Sequence, residues 1–519
     1  MAPQTDSGNR SLMAGLRRPR AVWFVPVLAL LALLAWVFAS PVGSAPDDDF
    51  HLISVWCANA SNAACVPGPT STTRIVPEAL VDAPCFAYDQ DKSAACQAKD
   101  FTFSAKPTVK TSRGNFAGEY PPVYYATMSI FAGSNIVLSV LLMRIFTVLL
   151  FLGITVALYF LLPAFRRQTL IWSWAITTIP LGIFLLASNN PSSWAIVGLG
   201  SGWQALIGYF ETTGRRRIAL GAIFALSVVM AAGARGDAAL YSIIAIGVVF
   251  WLTFVRRKSY LLLSILPVVM IVVAVFFLLT SSQSGVGVHG FSGGAAPVAA
   301  STGAAPNGNG TLASSPKQNL SGFGLVAYNL LNVPSLWAGV FGSWPLGWLD
   351  TPIAAVVTYG AIAVFAVVAF TGLSFITWRK LIVTIGLTIV LVAVPVYVLD
   401  ASGDTLGMNV QPRYILPLIV LLGGIILIVR AGQRLSFTRL QLILVVATLS
   451  LANFVALHMD IQRYVLGNNH AALSLDSHIQ WWWSMPITPN AVWIGGSLAY
   501  AAMLVLIVRE ISRRESLSR

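Results

Sequence analysis

The sequence predicts an all-α polytopic membrane protein of about twelve transmembrane helices with a disulfide-bearing first outer loop, and three observations carry that prediction. Hydrophobic residues make up 56% of the chain and charged residues only 10%. A soluble domain carries roughly 25% charged residues, so this chain cannot cover itself with a water-compatible surface. Second, apolar runs recur at close to the roughly 20 residues needed to cross a hydrocarbon core about 30 Å thick. Third, Lys and Arg stand in short clusters at alternate connections, the positive-inside distribution. The net charge of +13 is therefore read as orientation in a bilayer, and nucleic-acid binding is set aside.

Residues 1–20 read as a cytoplasmic tail ending in "RRPR", and residues 21–40 as the first transmembrane helix. "GSA" before Pro46 resembles a signal-peptidase site. The apolar run is nevertheless longer than the usual 7–15 residues of a signal peptide, which favours an uncleaved anchor. Residues 41–135 then form an outer loop with an acidic motif and all four cysteines, Cys57, Cys65, Cys85 and Cys96. No CxxC pair suggests a metal, so the cluster favours two disulfides in an oxidising, external compartment. Three pairings are open, and proximity alone favours Cys57–Cys65 with Cys85–Cys96. "YPPVYYATMSIFAG" closes the loop as a short interfacial helix with Tyr and Phe at headgroup level.

Residues 136–280 carry helices two to seven, over about 136–162, 170–187, 193–210, 218–234, 238–255 and 260–280. Arg166/Arg167, "RRR" at Arg215–Arg217 and "RRK" at Arg256–Lys258 mark the inner connections, and "SNNPSS" and "ARGDA" the outer ones. Residues 281–351 are an outer segment: a Gly/Ser/Ala/Pro-rich stretch to about 324 reads as a flexible linker. The Trp-bearing "LLNVPSLWAGVFGSWPLGWLD" follows, expected at the outer interface. Residues 352–508 hold helices eight to twelve, with outer loops 399–413 and 459–490, and residues 509–519 form a cytoplasmic tail. The cysteines and the basic clusters are independent signals, and both put the first loop outside and both termini inside a plasma membrane.

A channel or transporter shows ionisable residues near the midplane, or broken helices in paired positions. Here Arg144 is the clearest such residue, about two turns from the outer end of the second helix, where it can snorkel. The other polar groups gather at outer helix ends and loops, among them Asp47, Asp48, Asp49, His51, Glu119, Arg235, Asp237, Asp404, Arg413, Asp460, Arg463, His470, Asp476 and His478. A site is therefore expected at the outer surface. Carboxylates at a helix end, near lipid and beside like charges, should have raised pKa values, which suits a general base. The competing reading of "PDDDF" is a solvated loop with an aspartate N-cap. His470 and His478 lack any metal-ligand spacing, and "WWW" at Trp481–Trp483 reads as an aromatic belt.

The order of these features resembles the GT-C superfamily of membrane glycosyltransferases: a first span, an acidic pair beyond it, a long outer loop, then "YPPVYY". "PDDDFH" is similar to the "PDE-x-x-H" pattern of an uncharacterised bacterial family of multi-span proteins, and "QPRYILP" at Gln411–Pro417 to its late "Q-x-RY-x-LP" element. The resemblance implies a sugar moved, with inversion, from a polyprenyl-phosphate donor to a cell-envelope glycan, lipid or protein acceptor on the extracytoplasmic side. It implies Asp47 or Asp48 as catalytic base and His51, Tyr124, Tyr125 and Arg413 as substrate-binding candidates, with Arg413 holding the carrier phosphate. Asp49 stands where the family usually has Pro. Arg235 can join the same site or simply pair with Asp237, and the pair is favoured. No motif requires a cofactor, and a divalent cation is left open. The alternatives are a transporter or flippase of lipid-linked saccharides, a ligase of whole glycans, and a non-catalytic envelope-assembly protein.

Overall fold

The apolar runs fold as helices at the expected places, and the first outer loop as a small mixed layer over one end of them. The computed structural model describes residues 21–59, 62–97, 108–282, 320–407, 410–470 and 472–516. The expected tail 1–20, and 283–319 of the Gly/Ser-rich stretch, lie outside the described residues.

After a 3-10 turn, α1 spans Val25–Ala39. The loop layer then holds α2 (Asp48–Ala58), β1 (Val66–Pro67), β2 (Arg74–Pro77), α3 (Glu78–Val81), β3 (Thr108–Thr111) and α4 (Val123–Met128). The strands form one antiparallel sheet in the order β1-β2-β3, with Ile75 opposite both Val66 and Lys110. Disulfides join Cys57 to Cys65 and Cys85 to Cys96, the pairing that proximity favours.

The remaining helices are α5 (Ile136–Leu161), α6 (Arg167–Ala175), α7 (Leu181–Leu186), α8 (Pro191–Glu211), α9 (Gly214–Ala234), α10 (Gly236–Thr253), α11 (Lys258–Leu263) and α12 (Ile265–Thr280). They continue as α13 (Phe323–Ala338), α14 (Ala355–Leu373), α15 (Trp378–Ser402), α16 (Pro412–Ile426), α17 (Arg439–Val465) and α18 (Pro489–Ser516). Among the described residues nine helical segments are long and apolar enough to cross a membrane, and α1 and α16 are shorter apolar helices. With that composition the chain is a polytopic all-α membrane protein.

Several boundaries move, each for a local reason. The third expected span is broken into α6 and α7, because Pro180 has no N–H to give. Just before it the Thr177 and Thr178 hydroxyls donate back to the Ser173 and Trp174 carbonyls at 2.6 and 2.9 Å. Helix α17 runs on past residue 458 to Val465, since no breaker precedes Gly467, so Asp460 and Arg463 are helical rather than loop residues. Helix α18 continues to Ser516, so the expected tail from 509 begins as helix. The segment 323–343, expected to lie at the interface, is long and apolar enough to cross. Both its flanks nonetheless meet the loop-layer end of the bundle. Near its start the Asn329 amide donates to the Asp404 carbonyl at 3.0 Å and accepts from the Leu406 N–H at 2.8 Å. Beyond its end Trp348 donates to the Gly43 carbonyl in the first loop at 2.8 Å. It therefore dips along α15 and returns.

Helix α16 is buried along its whole length and α8 along nearly all of it, so these two form the centre of the bundle. Their burial needs close helix approach, which small residues allow. A Cβ on Gly198 of α8 would lie 2.4 Å from the Ser227 carbonyl oxygen of α9.

Two arginines fasten the loop layer to the bundle. Arg144 does not snorkel; it is fully buried and donates to the Val37, Ser40 and Pro41 carbonyls at 3.1, 2.6 and 2.7 Å and to the Ser44 hydroxyl at 3.2 Å. Carbonyls at the end of α1 have no partner within the helix, and a cation at a helix C-terminus satisfies both them and the dipole. Arg463, also fully buried, pairs with Asp350 at 2.8 Å and donates to the Phe86, Asp89 and Lys92 carbonyls around the Cys85–Cys96 loop. The "WWW" run packs on the same region rather than forming a lipid belt: Trp481 joins Phe86, Trp348 and Tyr464, and Trp483 donates to the Phe38 carbonyl at 2.7 Å.

The α8–α9 approach is tested by Gly198→Ala, which should destabilise the fold by about 1–3 kcal/mol through overpacking against backbone. Gly153→Ala, at a position with nothing within 4 Å of the new methyl, should cost nothing. Thermal denaturation of the detergent-purified variants separates the two, and equal melting temperatures would refute the close-approach reading.

Candidate functional site

The "PDDDFH" motif begins where Arg144 ends its grip on the turn after α1. Asp47 is the residue before α2 and lies in the left-handed region, φ 60°, a conformation Asp accepts more readily than most side chains. Its carbonyl receives the Phe50 and His51 N–H groups at 2.9 Å each. Asp47 stands outside the helix and Asp48 and Asp49, as successive helical residues, point about 100° apart, so the three aspartates have different surroundings.

Asp48 turns into the protein and has no exposed surface. One carboxyl oxygen accepts the Ala45 N–H at 3.1 Å and the other has no partner. Burial pushes its pKa up to about 8 despite the field of Arg144. Asp47 keeps 21% of its side chain exposed and lies between two guanidinium groups, Arg413 at 2.5 Å and Arg113 at 3.3 Å. Burial alone would raise the Asp47 carboxyl, but Arg413 foremost, with Arg113, brings it below the ordinary value. Asp49 faces Arg113, which donates to both its carboxyl oxygens. Burial still raises its pKa. The rise expected of Asp47 and Asp48 is thus found at Asp48 and reversed at Asp47.

Arg413 enters from the start of α16, where it also donates to the Pro46 carbonyl at 3.3 Å and the Tyr414 hydroxyl at 3.0 Å. Asn190, ahead of α8, donates to the same Pro46 carbonyl at 2.8 Å. The Tyr414 ring lies between Arg413 and Arg235, whose guanidinium carbons are 5.0 and 4.7 Å from its centroid. Arg235 is held by Asp237 through two bonds of 2.9 and 2.8 Å, the favoured pair. It is nonetheless joined to the site through Tyr414 and Tyr120, the latter ring at 5.6 Å.

His51 does not reach the mouth. Its Nδ1 is 2.8 Å from the Tyr125 hydroxyl, it is buried, and burial pushes its pKa well down, leaving it neutral. Tyr124 and Tyr125 are likewise buried rather than at lipid headgroup level, with the Tyr124 ring against Trp194 at 5.5 Å. These three residues join α2 to α4 behind the mouth. His470, Asp476 and His478 sit apart from it in the α17–α18 connection.

Four participants were not singled out as site residues from the sequence, although Tyr120 opens "YPPVYY" and Asn190 lies in "SNNPSS". Arg113 arrives from the end of β3, 64 residues from Asp49. Asn190 stands in a stretch read only as an outer connection. Tyr120 is carried in by Asn115, whose amide brackets its backbone N–H and carbonyl at 2.9 Å each. Tyr88, 68% exposed and with φ 64°, stands at the rim on Trp348, ring centroids 5.3 Å apart. Among the described residues no three His, Cys, Asp or Glu side chains are grouped to hold a metal ion. The exposed carboxylates of the motif are committed to arginines, so a divalent cation does not fit them.

A carboxyl bound more tightly to its proton in the folded chain than in the unfolded one stabilises the fold most at low pH and loses that contribution as pH rises. Asp48 should therefore cause stability to fall as pH rises from about 4 to about 8. Asp48→Asn should flatten the melting temperature across that window, with the variant gaining on the wild type toward pH 8. An unchanged slope would show that Asp48 is ionised in the folded protein.

A family model described as "Predicted membrane protein (DUF2142)" matches residues 30–422. The matched region takes in the whole acidic mouth, from Pro46 through Arg113 and Arg235 to Arg413. No curated protein and no solved structure matches the chain. Matched over most of its length, the chain belongs to the DUF2142 family of predicted membrane proteins.

Proposed function

We propose that the chain is a membrane glycosyltransferase that moves a sugar from a polyprenyl-phosphate donor to an acceptor hydroxyl on the extracytoplasmic side. The observation that carries this reading is a partly exposed, ionised carboxylate, Asp47, held directly against a buried arginine, Arg413, at the mouth of the bundle. Both groups needed for the displacement meet there. The acceptor oxygen attacks the anomeric carbon, its proton passes to Asp47, and the carbon–oxygen bond to the phosphate breaks with its electron pair staying on the polyprenyl phosphate. Arg413, a planar fork suited to phosphate, stabilises the charge that develops on the leaving group.

The pairing suggests how donor binding readies the base. A phosphate that draws Arg413 toward itself removes the main influence holding the Asp47 pKa down, so the carboxylate becomes more basic when the donor is in place. Asp48 is the weaker candidate, because it has no exposed surface for an acceptor to reach and burial raises its pKa to about 8, which favours the protonated form at neutral pH. Tyr88 at the rim offers an exposed ring for a sugar face. His51, Tyr124 and Tyr125 support the site from behind.

A second reading, movement of lipid-linked saccharide without transfer, is favoured by one observation. The broken α6–α7 segment and the returning 323–343 segment meet, with a Cβ on Gly342 3.0 Å from Pro180, and interrupted helices in contact are a transporter feature.

Membranes containing the protein, supplied with radiolabelled polyprenyl-phosphate sugars, decide between them. Asp47→Asn should lower transfer by about 10²–10⁴-fold, and Arg413→Gln should raise KM for the donor as well as lower kcat, with Arg413→Lys partly restoring both. Transfer that survives both Asp47→Asn and Asp48→Asn would refute the base. Lipid-linked sugar that crosses the bilayer with no new glycosidic bond would establish transport instead, and no consumption or movement of lipid sugar would leave an assembly role.

A further inference from the structure

At the opposite end of the bundle, beyond the far end of α5, lies a cavity of about 610 Å³. Six cationic side chains line it: Arg166, Arg217, Arg257, Arg379, Lys380 and Arg430, with Glu211 the one acidic residue among its lining. They come from five separate places in the sequence, the turn before α6, the start of α9, the α10–α11 connection, the start of α15 and the segment after α16. Orientation in a bilayer needs basic residues near the ends of spans, and does not need them to converge. Arg215, Arg216, Arg256 and Lys258 serve that need from exposed positions outside the cavity lining.

Four of the six are fixed in place by backbone carbonyls. Arg166 donates to Val429 at 2.9 Å, Arg217 to Thr212 at 2.7 Å, Arg379 to Phe254 at 3.0 Å and Lys380 to Gly372 and Ile428 at 2.8 and 3.0 Å. Arg166 also takes Glu211, which leaves five cations with no acidic partner in the lining. The guanidinium groups of Arg257 and Arg430 have no hydrogen-bond or ion-pair partner among the described residues, the Arg430 backbone N–H alone donating to the Gln433 side chain. The Tyr260 ring, stacked on Phe210 at 4.9 Å, supplies an aromatic wall, and Leu252 and Leu263 an apolar one. Like charges gathered on pre-set supports are costly until an anion joins them, and planar guanidinium groups suit phosphate oxygens.

We propose that this cavity binds a multiply charged phosphate-bearing anion, supplied either by the head group of an anionic membrane lipid or by a soluble phosphate compound. Basic pockets between transmembrane helices are suited to such head groups, and the apolar wall continues outward into Leu261 and Leu262, exposed at 69% and 70%. The site is separate from the acidic mouth and does not depend on the transferase reading.

The test is the melting temperature of the detergent-purified full chain at low salt with added cardiolipin, phosphatidylcholine or pyrophosphate. A rise of about 3 °C or more is expected with cardiolipin or pyrophosphate and not with phosphatidylcholine. Cardiolipin alone acting identifies a lipid head group, and pyrophosphate acting identifies a soluble ligand class. Arg257→Gln/Arg430→Gln, which breaks no recorded contact, should abolish the rise, while Arg257→Lys/Arg430→Lys should retain most of it and Arg215→Gln/Arg216→Gln should leave it intact. No rise with either phosphate probe in the wild type overturns the proposal, as does a rise lost equally in the Arg215/Arg216 variant, which would mark a general surface-charge effect.

Discussion

The buried guanidinium of Arg144 is the point from which the mouth is built. A helix that ends near a bilayer surface leaves carbonyls without partners, and water cannot always reach them. Arg144 gathers three of these carbonyls and the Ser44 hydroxyl from the chain leaving α1. That fixes the turn from Ser40 to Ser44, which in turn sets where α2 begins. Without a cation at this place the acidic motif would have no defined direction. The turn is also clamped from the other side, where Gly43 takes φ 81° and lies so close to Ala83 that a Cβ would come within 2.7 Å of its backbone.

From that fixed start, the left-handed turn at Asp47 and the first two helical positions give three adjacent aspartates three environments. One is buried and favours its proton, one is shared by two arginines and holds its charge, and one is paired with Arg113. The arginine partners come from distant parts of the chain, α16 and the end of β3, and Asn190 in the turn before α8 holds the Pro46 carbonyl beside them. A single buried ion pair, Arg463–Asp350, keeps the disulfide loop seated beside them. The mouth is thus a product of the whole bundle, although its most visible residues are contiguous.

Charge is separated along the molecule. The acidic motif and its arginines occupy one end, where opposite charges are balanced pairwise. The other end concentrates cations with little acid to match. Helix α5, 26 residues long and so about 39 Å from end to end, runs from one to the other. A carrier phosphate at the first end and a structural or regulatory anion at the second would meet different chemistry: a cation already paired with a carboxylate, and a cluster that lacks its counter-ion.

The class of the protein, the place of nearly every helix, the disulfide-bearing loop and the region of the mouth were all legible in the chain. Composition, run length and clustered charge are local quantities, and a bilayer makes them decisive because each span must satisfy its own backbone. The acidic triplet and "QPRY" were visible for the same reason, as dense polar groups beside apolar runs. Burial was not visible. Arg144 read as a snorkelling residue, Tyr124 and Tyr125 as headgroup anchors, and Trp481–Trp483 as a belt, because residue type says nothing about what packs over it. Arg113 and Asn190 are single polar residues in polar stretches, and only the strand pairing and the helix crossings bring them to Asp49 and Pro46. Which aspartate keeps its charge could not be read from the chain, since burial and the approach of Arg413 and Arg113 from distant segments decide it.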